Sequence, residues 1–345
     1  MPQLSRTPAR RFHPTSRITQ ALVAGLAGLV GLCGLTGAAA ASETATPVAS
    51  LTITEINTST HPFTTLHCAR QPVQVRFFHN LAEVVLNGKS QMLVQAMSAS
   101  GARYVAPGDE STELWNKGNV STLTLKGQQL PVCAPAGAIL APWRASGNEP
   151  FWSITYDGWQ ATFTRPGADP QKGDATITAT TSDSQSLQVG HGATTWQITA
   201  TDGLCTDTMT GMPHPQHVST RVGSETFHGC GGSPERLLQG SQWHFTHIGT
   251  QPVNPAAQAW IEFLPGNRIA GSSGCNRFFG TYTLTGEALT FDGLGSTRMA
   301  CAPEAMTQED ALLKRLGEIN GFSLSEPDTL TLRTPDSTLQ ANPSK

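Results

Sequence analysis

Two short strings hold the side chains best placed to do chemistry. The first, Ser98-Ala99-Ser100-Gly101-Ala102-Arg103-Tyr104, sets a hydroxyl beside a glycine, and the second, Leu114-Trp115-Asn116-Lys117-Gly118, sets an ammonium beside another. Glycine lets the backbone turn tightly at both places, and lysine carries a compact point charge on a long stem. A hydroxyl and an ammonium presented on turns are donors suited to carboxylate acceptors. The plainer alternative is a pair of ordinary hairpin turns, with Trp115 a core residue.

Other constellations point to different chemistry. Cys205, His214, His217, His228 and Cys230 offer both ligand types of a zinc site, with two of the histidines three apart. In an oxidising compartment the two cysteines would pair and lose their thiolates, so no metal is expected. Glu149, Asp157, Glu304 and Glu309 are acids of the type a glycosidase pairs, but their spacing specifies no reaction. No GxGxxG, Walker-type loop, HExxH or GxSxG occurs in the chain. The expectation is a protein that is not an enzyme and takes no cofactor. A net charge of −3 with no basic block also argues against a nucleic-acid binder.

Donors on turns need strands to hold them. The 345 residues are 38% hydrophobic and 14% charged, with 34 glycines and 23 prolines, against roughly 25% charged in an average soluble domain. That composition describes a folded, turn-rich chain of β tendency. Val73–Phe77 and Leu123–Lys126 alternate apolar and polar residues, Ala82–Leu86 is a short apolar run, and Asn87-Gly88 and Lys126-Gly127 supply hairpin turns. The result is a meander of short antiparallel strands, which closure into a small barrel would free of exposed edges. Ile154–Tyr156, Ala161–Phe163, Ala175–Ala179 and Trp196–Ile198 have the same texture further on. Near the end, Pro303–Ile319 reads as a helix, with proline at its first position, Met306, Leu312, Leu313, Leu316 and Ile319 near helical spacing, and Gly321 beyond. Turn-rich breaks at Pro131–Pro142 and Gly229–Pro234 divide the chain into domains at 55–135, 140–233 and 235–345. The fold class is mainly β, with an N-terminal antiparallel β-barrel and a small α+β C-terminal domain.

Residues 1–41 read as a secretory signal peptide: Arg6, Arg10, Arg11 and Arg17 precede the apolar run Ala21–Leu35 and an Ala-rich cleavage site. Leu32 before Cys33 disfavours a lipid anchor there, although it leaves one open. Removing this leader leaves 18 basic against 25 acidic residues, a net charge of −7, and an even six cysteines. Six cysteines allow 15 connectivities, and their distribution suggests Cys68 with Cys133, Cys205 with Cys230 and Cys275 with Cys301. The three tandem domains then hold one staple each, as small cores need.

The strings at 98–104 and 114–118, with the flanking cysteine pair, resemble the MliC/PliC family of periplasmic inhibitors of c-type lysozyme over about Thr64–Cys133. The resemblance implies that Ser100 and Lys117 enter the lysozyme cleft and bond its catalytic acids. Gly101, Arg103, Tyr104, Trp115 and Gly118 complete the binding set, Tyr104 and Trp115 as supports. Val105–Glu113 is longer than the family pattern, which would alter the approach of the loop carrying Lys117. Residues 60–135 hold six Lys/Arg and four Asp/Glu, so the acidity of the chain lies elsewhere.

Leu237–Ala341 resembles the META or HslJ-type domain of bacterial envelope proteins, through Gly274-Cys275-Asn276-Arg277, Gly280-Thr281-Tyr282 and Ser296–Cys301. Asn276, Arg277 and Arg298 there could face a ligand or simply hold turns beside the disulfide. Gly147–Trp152 and Gly229–Gly232 resemble an uncharacterised bacterial envelope domain. The expected partner is a c-type lysozyme, met in the periplasm or at the outer membrane, with weak envelope association. The alternative is a non-inhibitory structural or stress-tolerance envelope protein dominated by its META domain.

Overall fold

Tight hairpins organise the first third of the folded chain. The computed structural model describes residues 61–190, 195–325 and 328–344; the expected leader and Cys33 lie outside the described residues. Asn87-Gly88 and Lys126-Gly127 both turn with positive φ, at 49° and 73° and at 49° and 78°, which matches the twist of the strands they join. The strands are β1 (Thr64–Cys68), β2 (Gln71–Phe78), β3 (Leu81–Leu86), β4 (Lys89–Ala96), β5 (Ala102–Ala106), β6 (Asp109–Lys117), β7 (Val120–Leu125), β8 (Gln128–Gln129) and β9 (Cys133–Ala134). They pair antiparallel in the order β6-β5-β4-β3-β2-β1-β9-β7-β8, and β6 also pairs with β7, so the sheet closes into a barrel. Alternation turns Val73, Val75, Val84, Leu93, Leu114 and Leu123 into its core.

A second barrel of eight strands follows, closed in chain order: β10 (Trp143–Asn148), β11 (Phe151–Tyr156), β12 (Gln160–Thr164), β13 (Gln171–Thr180), β14 (Ser184–Val189), β15 (Trp196–Thr206), β16 (Pro213–Val222) and β17 (Glu225–Gly231). Trp152, Phe163, Trp196 and Phe227 fill it, with the Phe163 and Phe227 rings 5.1 Å apart. The break at Gly229–Pro234 begins within this barrel, its first three residues being the end of β17. Ser146 pairs with Cys230 and Ala145 with Gly231 to close the barrel, and a Cβ at Gly229 would overlap the Ser146 carbonyl. Those glycines permit a close backbone approach, which a sequence reads as a break.

The last sheet is an open half-barrel. It follows a short helix α1 (Glu235–Leu238) and contains β18 (Gln242–Ile248), β19 (Gln251–Pro252), β20 (Trp260–Leu264), β21 (Arg268–Ser272), β22 (Arg277–Leu284), β23 (Leu289–Ser296), β24 (Gly321–Ser325), β25 (Thr329–Arg333) and β26 (Thr338–Pro343). Its order is β23-β22-β21-β20-β18-β26-β25-β24, and the helix α2 (Pro303–Leu316) connects the two edge strands. Pro303 opens α2 as expected, while the helix ends at Leu316, three residues short of Ile319, with Gly317 as its cap. Ile319 still packs into the same core as Leu312 and Leu316. All three expected disulfides form, one in each part of the chain. No helix among the described residues is long and apolar enough to cross a membrane.

Candidate functional site

The β5–β6 hairpin carries both strings, and its register decides which side chains reach solvent. Tyr104 lies opposite Leu114, Arg103 opposite Trp115, and Ala102 opposite Asn116. Tyr104 and Leu114 point into the barrel, 6% and 1% exposed. The Tyr104 ring packs 5.4 Å from that of Phe77, so Tyr104 supports the hairpin from within and is not part of its outer surface. Arg103 and Trp115 face outward as a cross-strand pair, with Arg103 Nε donating to Glu113 Oε2 at 2.7 Å.

Trp115 joins the two loops at the tip. Its indole Nε1 donates to the Ser100 carbonyl oxygen at 2.9 Å, and the Lys117 Nζ stands 4.9 Å from its ring centroid. That second contact is a cation–π geometry, which holds the lysine stem over the ring. The Ser98 hydroxyl donates to the same Ser100 carbonyl at 2.6 Å and accepts from the Ser100 N–H at 3.3 Å. Gly101, at φ +67°, lets this turn lie against β6: a Cβ there would overlap the Asn116 carbonyl and come within 2.9 Å of Lys117 Cγ. Gly118, at φ +61°, closes the β6–β7 turn just beyond Lys117. Ser100 and Lys117 are thus neighbours on exposed turns, and their hydroxyl and ammonium have no hydrogen bond or ion pair among the described residues. A preorganised pair of donors left open in this way can engage an acidic acceptor on another molecule.

The extra length at Val105–Glu113 lies away from this tip. Pro107-Gly108 turns between β5 and β6 at the opposite end of the hairpin, with a bulge between Val105 and Ala106. The hydroxyls of Ser111 and Thr112 donate to Asp109 there and hold its carboxyl below the usual range.

Several of the remaining candidates have structural partners. Cys205 and Cys230 are bonded to each other, and no group of three metal-ligating side chains gathers among the described residues. His214 Nδ1 lies 3.0 Å from the Gly232 carbonyl. Asp157 accepts from the N–H groups of Trp159 and Gln160, each at 2.8 Å, and caps that turn. Glu309 is buried and accepts from Asn276 N, Asn276 Nδ2 and the Ser273 hydroxyl. Asn276 in turn accepts from Thr297 Oγ1 and Met299 N, both at 2.7 Å, beside the Cys275–Cys301 bond. That network settles Asn276 as a holder of turns. Arg277 stands 5.3 Å over Trp260, and Arg298 is exposed.

Two features of the tip had little signal in the sequence. Ser98 pins the Ser100 carbonyl, and Met97, directly before it, is 98% exposed. A large apolar residue abutting a Ser-Ala-Ser-Gly turn was the available hint.

The site is thus a closed barrel that presents two open donors on adjoining turns. Residues 67–130 match the family model described as "Membrane-bound lysozyme-inhibitor of c-type lysozyme", MliC, and residues 236–345 match the META domain. The chain therefore carries an MliC domain followed, after the second barrel, by a META domain. Solved structures similar to parts of it include two determined by NMR. One is an NMR structure of a protein from Burkholderia xenovorans, 30% identical, covering 32% of this chain and 86% of that one at a TM-score of 0.28. Another NMR structure is 32% identical and covers 32% of this chain and 94% of its own, also at 0.28. No curated protein matches the chain.

Proposed function

We propose that this protein inhibits c-type lysozyme in the bacterial envelope, the first barrel blocking the enzyme's cleft with Ser100 and Lys117. A c-type lysozyme works with two carboxylates in a cleft, one kept protonated by an apolar pocket and the other ionised. Lys117 suits the ionised acid as a charge partner, and the Ser100 hydroxyl suits either acid as a hydrogen-bond partner. The observation that carries this reading is the joint anchoring of both turns on Trp115, through the Ser100 carbonyl at 2.9 Å and the Lys117 ammonium at 4.9 Å. Such anchoring lowers the ordering cost of binding. Immobilised hen-type lysozyme should capture the purified full chain. Lys117→Met, which keeps the stem and removes the charge, should weaken capture by more than about 1 kcal/mol. Capture at full strength by that variant would reject the assigned contact, and no capture of the unaltered chain would reject the function.

A further inference from the structure

Two polar side chains cannot make a stable complex alone. A specific interface buries about 800 Å² on each partner, and its centre is apolar with a polar rim. Beside the Ser100–Lys117 tip, one face of the hairpin and the strand next to it exposes Met97 and Val94, with the Arg103–Glu113 ion pair on the same face. Met97, at 98%, is the most exposed large hydrophobic residue among those described. Leu93 is fully buried, so alternation turns Val94 outward, where it is 40% exposed. Val94 pairs with Leu81 on one side and Val105 on the other. One row nearer the tip, Ala96 pairs with Arg103, which pairs with Trp115.

We infer that the lysozyme-facing surface runs from Ser100 and Lys117 over Met97 onto the outward faces of Val94 and Val105, and that this strip supplies the apolar contact area of the complex. The inference rests on the inhibitor reading above. Its occupant is the rim of the lysozyme cleft, and continuity with the Trp115-anchored tip selects this face. A thioether is polarizable and adaptable, and it packs well against the aromatic side chains of a partner, so Met97 is the natural anchor beside the polar pair.

Peroxide footprinting tests this directly. Hydrogen peroxide transfers one oxygen atom to a methionine sulfur, giving the sulfoxide and water. The full chain is oxidised alone and saturated with hen-type lysozyme, and each methionine is quantified by peptide mass spectrometry. Met209 and Met299, 68% and 59% exposed in the other two domains, serve as internal references. Oxidation of Met97 should fall at least fivefold in the complex while both references keep their rates. Met97→Glu and Val94→Glu should each weaken lysozyme binding tenfold or more. Unprotected Met97, or unchanged binding by the two glutamate variants, overturns the strip; if the same complex is lost in Ser100→Ala/Lys117→Ala, the inhibitor reading survives that result. Failure of the unaltered chain to bind lysozyme overturns both.

Discussion

At the scale of single residues, the proposed contacts depend on one indole. Trp115 fixes both of its neighbours: its N–H holds the Ser100 turn and its ring carries the Lys117 ammonium. Trp115→Phe keeps a ring under the lysine and removes the N–H. Loss of that one hydrogen bond should cost about 1 kcal/mol of preorganisation, read as a several-fold rise in the inhibitor concentration needed for half-inhibition, with the thermal midpoint little changed. Gly101→Ala should do more damage, because its positive φ and the Asn116 carbonyl leave no room for a methyl group. Ser100, Lys117 and their glycines were legible in the sequence because polar residues beside glycine advertise exposed turns. Tyr104 was legible only as a support. Its inward direction follows from the register with Leu114, which a string of residues does not encode. Met97 passed unread because a single apolar residue in a loop has no periodicity to give it a face.

Among the elements, the hairpins and the helix followed their local rules, and the departures came from tertiary packing. Asn-Gly and Lys-Gly turned where turn chemistry places them, and α2 began at Pro303. Glu309, offered by its type as a catalytic acid, lies on the buried face of α2 because Asn276 and Ser273 approach it from the loop beside β22. A helical position alone does not reveal such partners. Tyr282 on β22 gives a test of this half-barrel. Burial raises its phenol, Glu235 nearby adds to that, and the hydrogen bond from Gln239 opposes it, leaving the pKa at about 12. A group raised in this way prefers its protonated form in the fold, so its contribution is complete below the unfolded value near 10 and declines as pH rises toward 12. Denaturant unfolding should lose about 2–3 kcal/mol across that interval from this group. Tyr282→Phe should flatten the tyrosine part of the slope, and an unchanged slope would remove Tyr282 as its source.

For the whole molecule, the breaks read from composition are seams that lock. Arg236 on α1 donates to the carbonyls of Val132 and His67 at 2.9 and 3.1 Å, and Gly240, at φ +82°, lies so close to the first barrel that a Cβ would come within 2.5 Å of the Cys68 carbonyl. Arg70 reaches the other way, stacking 4.9 Å over Trp243 and pairing with Asp328 at 2.8 Å. Met212 of the second barrel is fully buried in the core of the half-barrel. Proline and glycine mark where the chain changes element, but nothing in their pattern encodes the arginines that stitch the pieces together. Arg236→Ala leaves two carbonyls without their donor, and should release the first barrel to unfold at a lower temperature than the rest, a split that calorimetry would record. Breaking Cys68–Cys133, which closes a 65-residue separation, should destabilise that barrel by about 4 kcal/mol on chain-entropy grounds. A single shared transition in Arg236→Ala would mean that the seam holds without Arg236.

The function assigned to this assembly stands on the paired donors at its tip. Titrating the full chain, oxidised and intact, into bacterial cell walls being lysed by hen-type lysozyme should stop the lysis, and Ser100→Ala/Lys117→Ala should need at least about tenfold more protein for half-inhibition, a loss of about 1.4 kcal/mol. Equal potency of the double variant, or undiminished lysis in the presence of the unaltered chain, would contradict it.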